Sequence, residues 1–221
     1  FHDRLAKLTF LDPACGCGNF LIITYRELRL LEIEVLREIH RDTLKKMKGG
    51  ATELPLQTLL KIDVDQFYGI EFSEFPARIA ETAMWMMDHI MNTQASLEFG
   101  AAFLRIPLRK SPSITHGDAL ELDWATLISP AKCSYIIGNP PFVGAKYQSD
   151  FQRAQVRRIA NLGKSGGTLD YVAAWFLKAG TYTQGHTVPF AFVSTNSISQ
   201  GEQVAQLWPI LFDQHKLEIA F

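Results

Sequence analysis

Asn139-Pro140-Pro141-Phe142 is the stretch whose residue types suggest chemistry most directly. The side-chain oxygen of Asn139 and the carbonyl of Pro140 are two acceptors that can hold both hydrogens of an amine on a flat ring. The prolines add no competing N–H donor and fix the backbone. Phe142 offers an aromatic face on which a base can stack. The stretch predicts a clamp for a ring amine, and the alternative is a plain strand-ending turn, since Asn-Pro pairs often begin turns.

A second candidate is the glycine-containing segment that begins at Asp12. Gly16 and Gly18 lie between a short apolar strand and a helix, where backbone can approach a ligand closely and the helix carries partial positive charge. Asp12 adds a carboxylate that would hold an ammonium group and repel the pyrophosphate of a dinucleotide. The segment therefore predicts an amine-bearing ligand and argues against a nicotinamide-dependent oxidoreductase.

Two further acids follow predicted strands. Glu71 is placed to accept hydrogen bonds from ribose hydroxyls, although it also suits the start of a helix. Asp118 could accept from an adenine amine between apolar walls formed by Phe72 and Leu120, although it also suits a turn. Four polar residues thus follow four successive strands, and packing alone does not explain them: Asp12, Glu71, Asp118 and Asn139.

The elements that must position these residues alternate between apolar runs and helical periodicity, which predicts an α/β fold. The predicted strands are 8–11, 66–70, 113–116, 133–138, 188–194 and 217–221. Four helices are predicted. The first covers 20–48 and is ended by Gly49-Gly50, and the second begins at Ser73 and Pro76 and continues through about 94. The other two cover 169–183 and 201–214. Residues 51–61 and 98–112 are expected to be connectors.

Residues 143–167 are polar, glycine-containing and basic, and they predict a mobile loop. The functional interpretation is that this loop lies over the site and contacts phosphates, and the alternative is a solvated surface. Its basic residues are Lys146, Arg153, Arg157, Arg158 and Lys164.

Composition limits the class of protein. The chain has 221 residues, 47% of them hydrophobic and 20% charged, which is typical of a globular domain without a membrane span. Its net charge of −1 indicates that most of any grip on nucleic acid lies elsewhere. The three cysteines fit a reducing cytoplasm, and we expect Cys15 and Cys17 to pack beneath the glycine segment, Cys133 to lie in the core, and no metal site.

Two pairs of stretches carry a resemblance to a known family. Asp12 to Phe20 with Asn139 to Phe142 resembles motifs I and IV of S-adenosylmethionine-dependent adenine-N6 DNA methyltransferases, in the motif order of their gamma class. Phe192 to Gln203 and Leu169 to Phe176 resemble the methylase portion of MmeI-like restriction–modification enzymes. The resemblance covers nearly all of the chain.

The resemblance implies a three-layer Rossmann-like methyltransferase fold, with a mostly parallel central sheet and helices on both faces. It implies S-adenosylmethionine as cofactor and a flipped adenine amine as methyl acceptor. The target site would comprise Asn139, Pro140, Pro141 and Phe142. The cofactor site would comprise Asp12, Pro13, Ala14, Gly16, Gly18, Asn19, Phe20, Glu71, Phe72, Asp118, Ala119 and Asn139. Asp170 and Tyr171 match the helix that packs near these pockets.

The implied partners are double-stranded DNA, a target-recognition domain and a fused endonuclease. We expect residues 1–221 to be a methyltransferase catalytic domain that lacks the upstream cofactor-closing motif, the last strands and the target-recognition domain. Protein-glutamine methyltransferases and RNA amine methyltransferases share the Asn-Pro-Pro-aromatic motif and remain alternatives. Phe142 argues against the glutamine enzymes, in which tyrosine is more usual. A binding module without activity is the other alternative, and the intact Asn139 and glycines argue against it.

Overall fold

A computed structural model describes residues 1–42, 59–99, 111–162 and 168–220. The strands are β1 (Phe10–Asp12), β2 (Phe67–Glu71), β3 (Ser113–His116), β4 (Tyr135–Gly138) and β5 (Phe190–Phe192). The α-helices with both ends in these ranges are α1 (His2–Leu5), α2 (Asn19–Ile39), α3 (Glu74–Phe99), α4 (Asp150–Ala160), α5 (Ala173–Tyr182) and α6 (Val204–Pro209). Among the described residues, no helix combines the length and the apolarity that crossing a membrane requires.

The five strands form one sheet in the order β3-β2-β1-β4-β5. β2 pairs with β3 in parallel, with Gly69 opposite Ile114, and β4 pairs with β5 in parallel, with Ile137 opposite Ala191. This topology confirms the predicted α/β, Rossmann-like class. The strand order reverses between β1 and β4, and such a reversal opens a crevice at the carboxyl ends of the strands.

The mobile loop predicted over 143–167 is wrong for residues 143–162. Ala145–Tyr147 form a 3-10 turn, and α4 follows. Ser149 begins the helix with a capping box, in which its side chain accepts from the Gln152 N–H while the Gln152 side chain accepts from the Ser149 N–H. These reciprocal bonds satisfy donors that the first turn would leave open. Residues 163–167, with Lys164, lie outside the described residues.

The sixth predicted strand is also wrong, because residues 217–220 form no strand. The N–H of Leu217 donates to the carbonyl of Leu211, which folds the chain back onto the preceding turn. That turn is a π-helix over Ile210–Gln214, directly after Pro209 at the end of α6. The helix predicted over 201–214 is divided into 3-10, α and π pieces, and Pro209, which has no N–H to donate, lies where the α piece ends.

Other predictions differ in their bounds. The 113–116 strand is confirmed as β3, and α5 begins four residues later than predicted, at Ala173. α2 ends at Ile39, with residues 41–42 again helical. The predicted stop at Gly49-Gly50 and most of both connectors lie outside the described residues.

The chain divides into two compact units. Unit 1 comprises Phe1–Phe10 and Cys15–His116, and unit 2 comprises Leu11–Ala14 and Gly117–Phe221. The boundary passes through β1, whose Leu11 and Asp12 belong to unit 2.

Unit 1 contains a buried charged network that ties α2 to α3. Arg29 is fully buried and donates to the Tyr25 hydroxyl (2.7 Å), to Asp88 (3.3 Å) and to Asn92 (2.9 Å). Glu32, also fully buried, lies 3.4 Å from the Arg29 guanidinium and accepts from the Ile62 N–H. Burial raises the pKa of Tyr25 far above its usual range, so its hydroxyl remains a donor. These contacts connect α2 to α3, and removing one partner would leave a buried charge without its counterpart.

Unit 2 packs around α5. The Trp124 indole donates to the Ala119 carbonyl (2.8 Å), and the Tyr182 hydroxyl donates to the Ile128 carbonyl (2.7 Å). Trp124 is 1% exposed, and its ring lies 5.7 Å from that of Tyr182. These bonds satisfy the polar ends of the buried Trp124 and the partly buried Tyr182.

Candidate active site

Asp12 and Asn139 lie in unit 2, at the strand ends where the sheet order reverses. Asp12 is the last residue of β1, and Asn139 directly follows β4, the neighbouring strand. The Asp12 side chain is buried, whereas Asn139 is exposed. A buried carboxylate and an exposed amide thus occupy adjacent strand ends, where α/β proteins bind ligands.

Gly138 makes the approach of these two strands possible. A Cβ at this position would lie 2.7 Å from Asp12 Oδ1 and 3.5 Å from the Phe192 ring. A side chain at position 138 would therefore push the Asp12 carboxylate away from β4. Gly138 was not among the predicted site residues, and only its position at the end of an apolar run hinted at it.

The Asn139-Pro-Pro-Phe142 stretch leaves β4 as irregular backbone, and no strand runs through the prolines. Pro140 is buried, and Phe142 is 48% exposed, so about half of this residue is accessible. The Val193 N–H donates to the Gly138 carbonyl (3.0 Å) and the Tyr171 N–H donates to the Val143 carbonyl (2.9 Å). Both ends of the stretch are therefore held by backbone hydrogen bonds.

α5 holds the start of the glycine segment within unit 2. The Trp175 indole N–H donates to the Pro13 carbonyl (3.0 Å), and the Ala14 N–H donates to Asp12 Oδ1 (3.0 Å). The ring of Tyr171 packs edge-on against Trp175, with centroids 5.2 Å apart. Trp175 is a further contact that the sequence did not assign.

In unit 1, the two glycines adopt left-handed backbone conformations that favour glycine. Gly16 has φ +55° and open space around it, whereas a Cβ on Gly18 (φ +86°) would lie 3.0 Å from the Ala80 Cβ. Gly18 precedes Asn19, the first residue of α2. The segment thus combines a close helix packing at Gly18 with an open approach at Gly16.

Glu71 fixes this segment. Its Oε2 accepts from the Gly16 N–H (3.0 Å), and its Oε1 accepts from the Ser73 N–H (2.8 Å). The predicted contact to a ribose would use remaining lone pairs of the same carboxylate. Phe72 and Phe20 are exposed apolar side chains of the same unit, with Phe72 69% exposed.

Asp118 lies in unit 2 and is held by α4. Its Oδ1 accepts from the Leu120 N–H, and its Oδ2 accepts from the Gln155 side chain (both 2.8 Å). The buried Gln155 also accepts from the Tyr171 hydroxyl (2.7 Å). Burial, with the charges of Asp118 and Glu121, raises the pKa of Tyr171 to about 12, so Tyr171 stays a neutral donor.

Leu120, one of the two residues expected to form an apolar wall beside Asp118, is buried. Leu120 is 3% exposed and Ala119 6% exposed, so both are packed into unit 2. Gln155 was missed because it lies in the stretch that was predicted to be a loop.

The basic residues of 143–162 are not equally available. Arg153 donates to the carbonyls of Ala145 and Gln148, and Arg158 pairs with Glu121. Lys146 and Arg157 are exposed, and Arg157 forms no ion pair with any residue in the described ranges.

The cysteines differ in environment. Cys15 and Cys133 are buried, as expected, and burial raises the pKa of the Cys133 thiol to about 11. Cys17 is exposed, so the expectation that it packs beneath the segment is wrong. The segment turns at Gly16, which places the two cysteines in different surroundings. Within the described residues, no three His, Cys, Asp or Glu side chains are grouped to hold a metal ion.

Comparisons with known proteins find similar sequences and structures. The family model of the MmeI DNA-methyltransferase domain matches residues 1–221. The DNA methyltransferase A of Bacillus subtilis (strain 168) is 39% identical over 213 residues, which are 95% of this chain and 23% of that protein.

Solved structures also resemble the chain, among them two restriction-modification enzymes. The Type IIL restriction-modification enzyme MmeI in complex with DNA has a TM-score of 0.89 and 53% identity, covering 96% of this chain and 28% of that one. The ATP-dependent Type ISP restriction-modification enzyme LlaBIII bound to DNA has a TM-score of 0.51 and 15% identity, covering 87% of this chain and 13% of that one, and shows likeness of fold alone. The chain thus spans about a quarter of the length of the two more similar proteins.

Proposed function

The chain belongs to the MmeI DNA-methyltransferase domain family, and on that premise we propose that it methylates the N6 amine of a flipped adenine in double-stranded DNA. The observation that carries the proposal is the approach of the buried Asp12 carboxylate to Gly138, the residue directly before the Asn139-Pro140 acceptors. The relative from B. subtilis is a DNA methyltransferase by name, and the MmeI structure contains DNA.

S-adenosylmethionine is the proposed methyl donor, and when bound it supplies an electrophilic methyl group. The acceptors present suit its donors: Asp12 for the ammonium group, Glu71 for ribose hydroxyls and Asp118 for the adenine amine. The open space at Gly16 leaves room for close backbone approach. A cofactor with a pyrophosphate would meet the Asp12 carboxylate instead. We assign the remaining contacts to Pro13, Ala14, Gly18, Asn19, Phe20, Phe72 and Ala119.

The chemistry assigned to the target site is positioning and polarisation. The amine of adenine is a poor nucleophile because its lone pair is delocalised into the ring. Hydrogen bonds from the amine to Asn139 and to the Pro140 carbonyl would favour a tetrahedral nitrogen and localise that pair. Phe142 would stack on the extruded base and offset roughly 1–3 kcal/mol of the unstacking cost. No covalent intermediate is needed, which agrees with the buried, protonated Cys133.

The protein is proposed to act as the methylase of a restriction–modification enzyme, with a target-recognition domain and an endonuclease as partners. Its free cysteines suit the reducing cytoplasm, where we propose that it works.

The test uses the full-length protein, methyl-labelled S-adenosylmethionine, and unmethylated duplex DNA, RNA or protein as acceptor. We expect label in DNA, recovered as N6-methyladenine after digestion to nucleosides. Label only in protein or only in RNA would replace the proposed substrate, and N4-methylcytosine would replace the proposed base.

Asn139→Ala is the matching variant. We expect it to lower kcat roughly 10²–10³-fold, because one of two acceptors is lost. The Kd for S-adenosylmethionine, measured by calorimetry, should change less than about threefold, since uniform binding is unaffected. Gln184→Ala, an exposed amide just after α5, is the control and should behave as wild type. Full turnover by Asn139→Ala would refute the assignment.

A further inference from the structure

The Asp170 carboxylate joins three segments of unit 2. Its Oδ1 accepts from the Ala145 N–H (2.9 Å), just beyond the Asn139–Phe142 stretch. Its Oδ2 accepts from the Ser197 hydroxyl and from the Gln203 amide (2.9 Å). The Asp170 N–H donates back to the Gln203 side-chain oxygen (2.8 Å). The two stretches that carried the MmeI-like resemblance therefore meet at one carboxylate.

These contacts close a ring of hydrogen bonds that includes residues 139–142, which we call the target stretch. At one point, the Val193 N–H is bonded to the Gly138 carbonyl. At the other, Tyr171 and Asp170 are bonded to Val143 and Ala145. Two short segments, 139–142 and 194–197, run between these same two points. The position of Ser197 on Asp170 therefore constrains the distance that the target stretch must span.

The target stretch is too stiff to absorb a shift at its ends. Pro140 and Pro141 each have a fixed φ, which leaves few torsions free between Gly138 and Val143. If the end of the stretch held by Asp170 is displaced, Asn139 and Phe142 must therefore move as well. Misplacement of about 1 Å at a reacting group can cost about 100-fold in rate.

We propose that Asp170, with Ser197 and Gln203, is a positioning residue that sets the orientation of the Asn139 amide and the Phe142 ring toward the target base. The inference rests on the proposed function for its substrate, and it assigns to these residues a role in the methyl-transfer step. It does not extend to cofactor binding, because none of these hydrogen bonds involves a residue assigned to the cofactor.

The chemistry of Asp170 makes the role specific. Three donors converge on its two oxygens, and only a carboxylate presents acceptors on both sides. In Asp170→Asn one oxygen is replaced by an NH₂ group, which faces at least one donor. The variant keeps the shape of the side chain but loses the hydrogen bonds accepted by one of the two carboxylate oxygens.

The first test measures kinetics in the full-length protein. We expect Asp170→Asn to lower kcat about 100-fold and Ser197→Ala about tenfold. Ser197→Thr, which keeps the hydroxyl, should restore most of the rate. The Kd for S-adenosylmethionine should change less than about threefold in every variant. Gln206→Ala, which removes a neighbouring hydrogen bond to Thr168, is the control and should keep wild-type kcat.

The second test measures amide hydrogen exchange of peptides covering 139–147, without any substrate. Exchange should be several-fold faster in Asp170→Asn and Ser197→Ala and unchanged in Gln206→Ala. Unchanged exchange in Asp170→Asn would overturn the inference whatever the substrate is. So would wild-type kcat, or cofactor affinity that falls in parallel with kcat, in Asp170→Asn. A wild-type protein that does not methylate DNA, with the exchange difference present, would refute the proposed function and leave the positioning role supported.

Discussion

At the scale of single residues, the polar ends of the strands could be predicted, and the residues that bring them together could not. Asp12 and Asn139 follow apolar runs, so their place at strand ends is readable from local pattern. Gly138 and Gln155 matter because of what approaches them in three dimensions, Asp12 in one case and Asp118 in the other. No local pattern in the sequence contains that information.

Gly138→Ala tests this packing. A Cβ would lie 2.7 Å from Asp12 Oδ1, and the buried carboxylate has little room to move. We expect the free energy of unfolding to fall by about 1–3 kcal/mol, measured in urea. The Kd for S-adenosylmethionine should rise as Asp12 shifts.

Gly144→Ala is the matched control in the same stretch. Its Cβ would have no neighbour nearer than 3.6 Å, and its φ of −59° is accessible to alanine. We expect a change within about 0.5 kcal/mol. Equal destabilisation by the two substitutions would contradict the packing argument at Gly138.

At the scale of elements, the alternation of strands and helices is predictable, and the weakest local signals are misread. The charged and glycine-containing composition of 143–167 suggested a loop, although Ser149 and Gln152 are spaced as a capping box, which is a helix-start signal. The strand predicted over 217–221 was apolar enough, but its backbone pairs with the preceding π-helical turn instead. Competition between hydrogen-bond partners decides such cases.

Ser149→Ala should loosen α4. Loss of the cap costs about 1 kcal/mol, which corresponds to about fivefold faster amide exchange over Asp150–Ala160. Ser149→Asp keeps an acceptor at the cap and should restore protection. If both variants exchange like wild type, the cap is not what holds the start of this helix.

At the scale of the whole molecule, the charge balance bears on how these residues would contact DNA under the proposed function. The net charge is −1, and some of the basic side chains already form ion pairs within the protein, such as Arg158 with Glu121. Sequence composition predicts the total charge but not which cations remain available, since that depends on partners brought together by folding. Arg157 and Arg158 are neighbours in the chain, but only Arg158 forms an ion pair among the described residues.

This contrast gives a prediction for DNA binding by the full-length protein. Arg157→Ala should reduce the slope of log K against log salt concentration by about one, as expected for loss of one phosphate contact. Arg158→Ala should leave that slope unchanged, because its guanidinium already pairs with Glu121. Fluorescence anisotropy over a range of salt concentrations measures both. A reduced slope in Arg158→Ala alone would reverse the assignment.

The contrast among the three cysteines has a practical consequence. Cys15 and Cys133 are buried, whereas Cys17 is exposed between the two glycines of the segment that begins at Asp12. Within residues 1–221, a thiol-reactive fluorophore would therefore attach at Cys17 without any engineered mutation. This thiol is an attachment point from which entry of a small ligand could be followed by light.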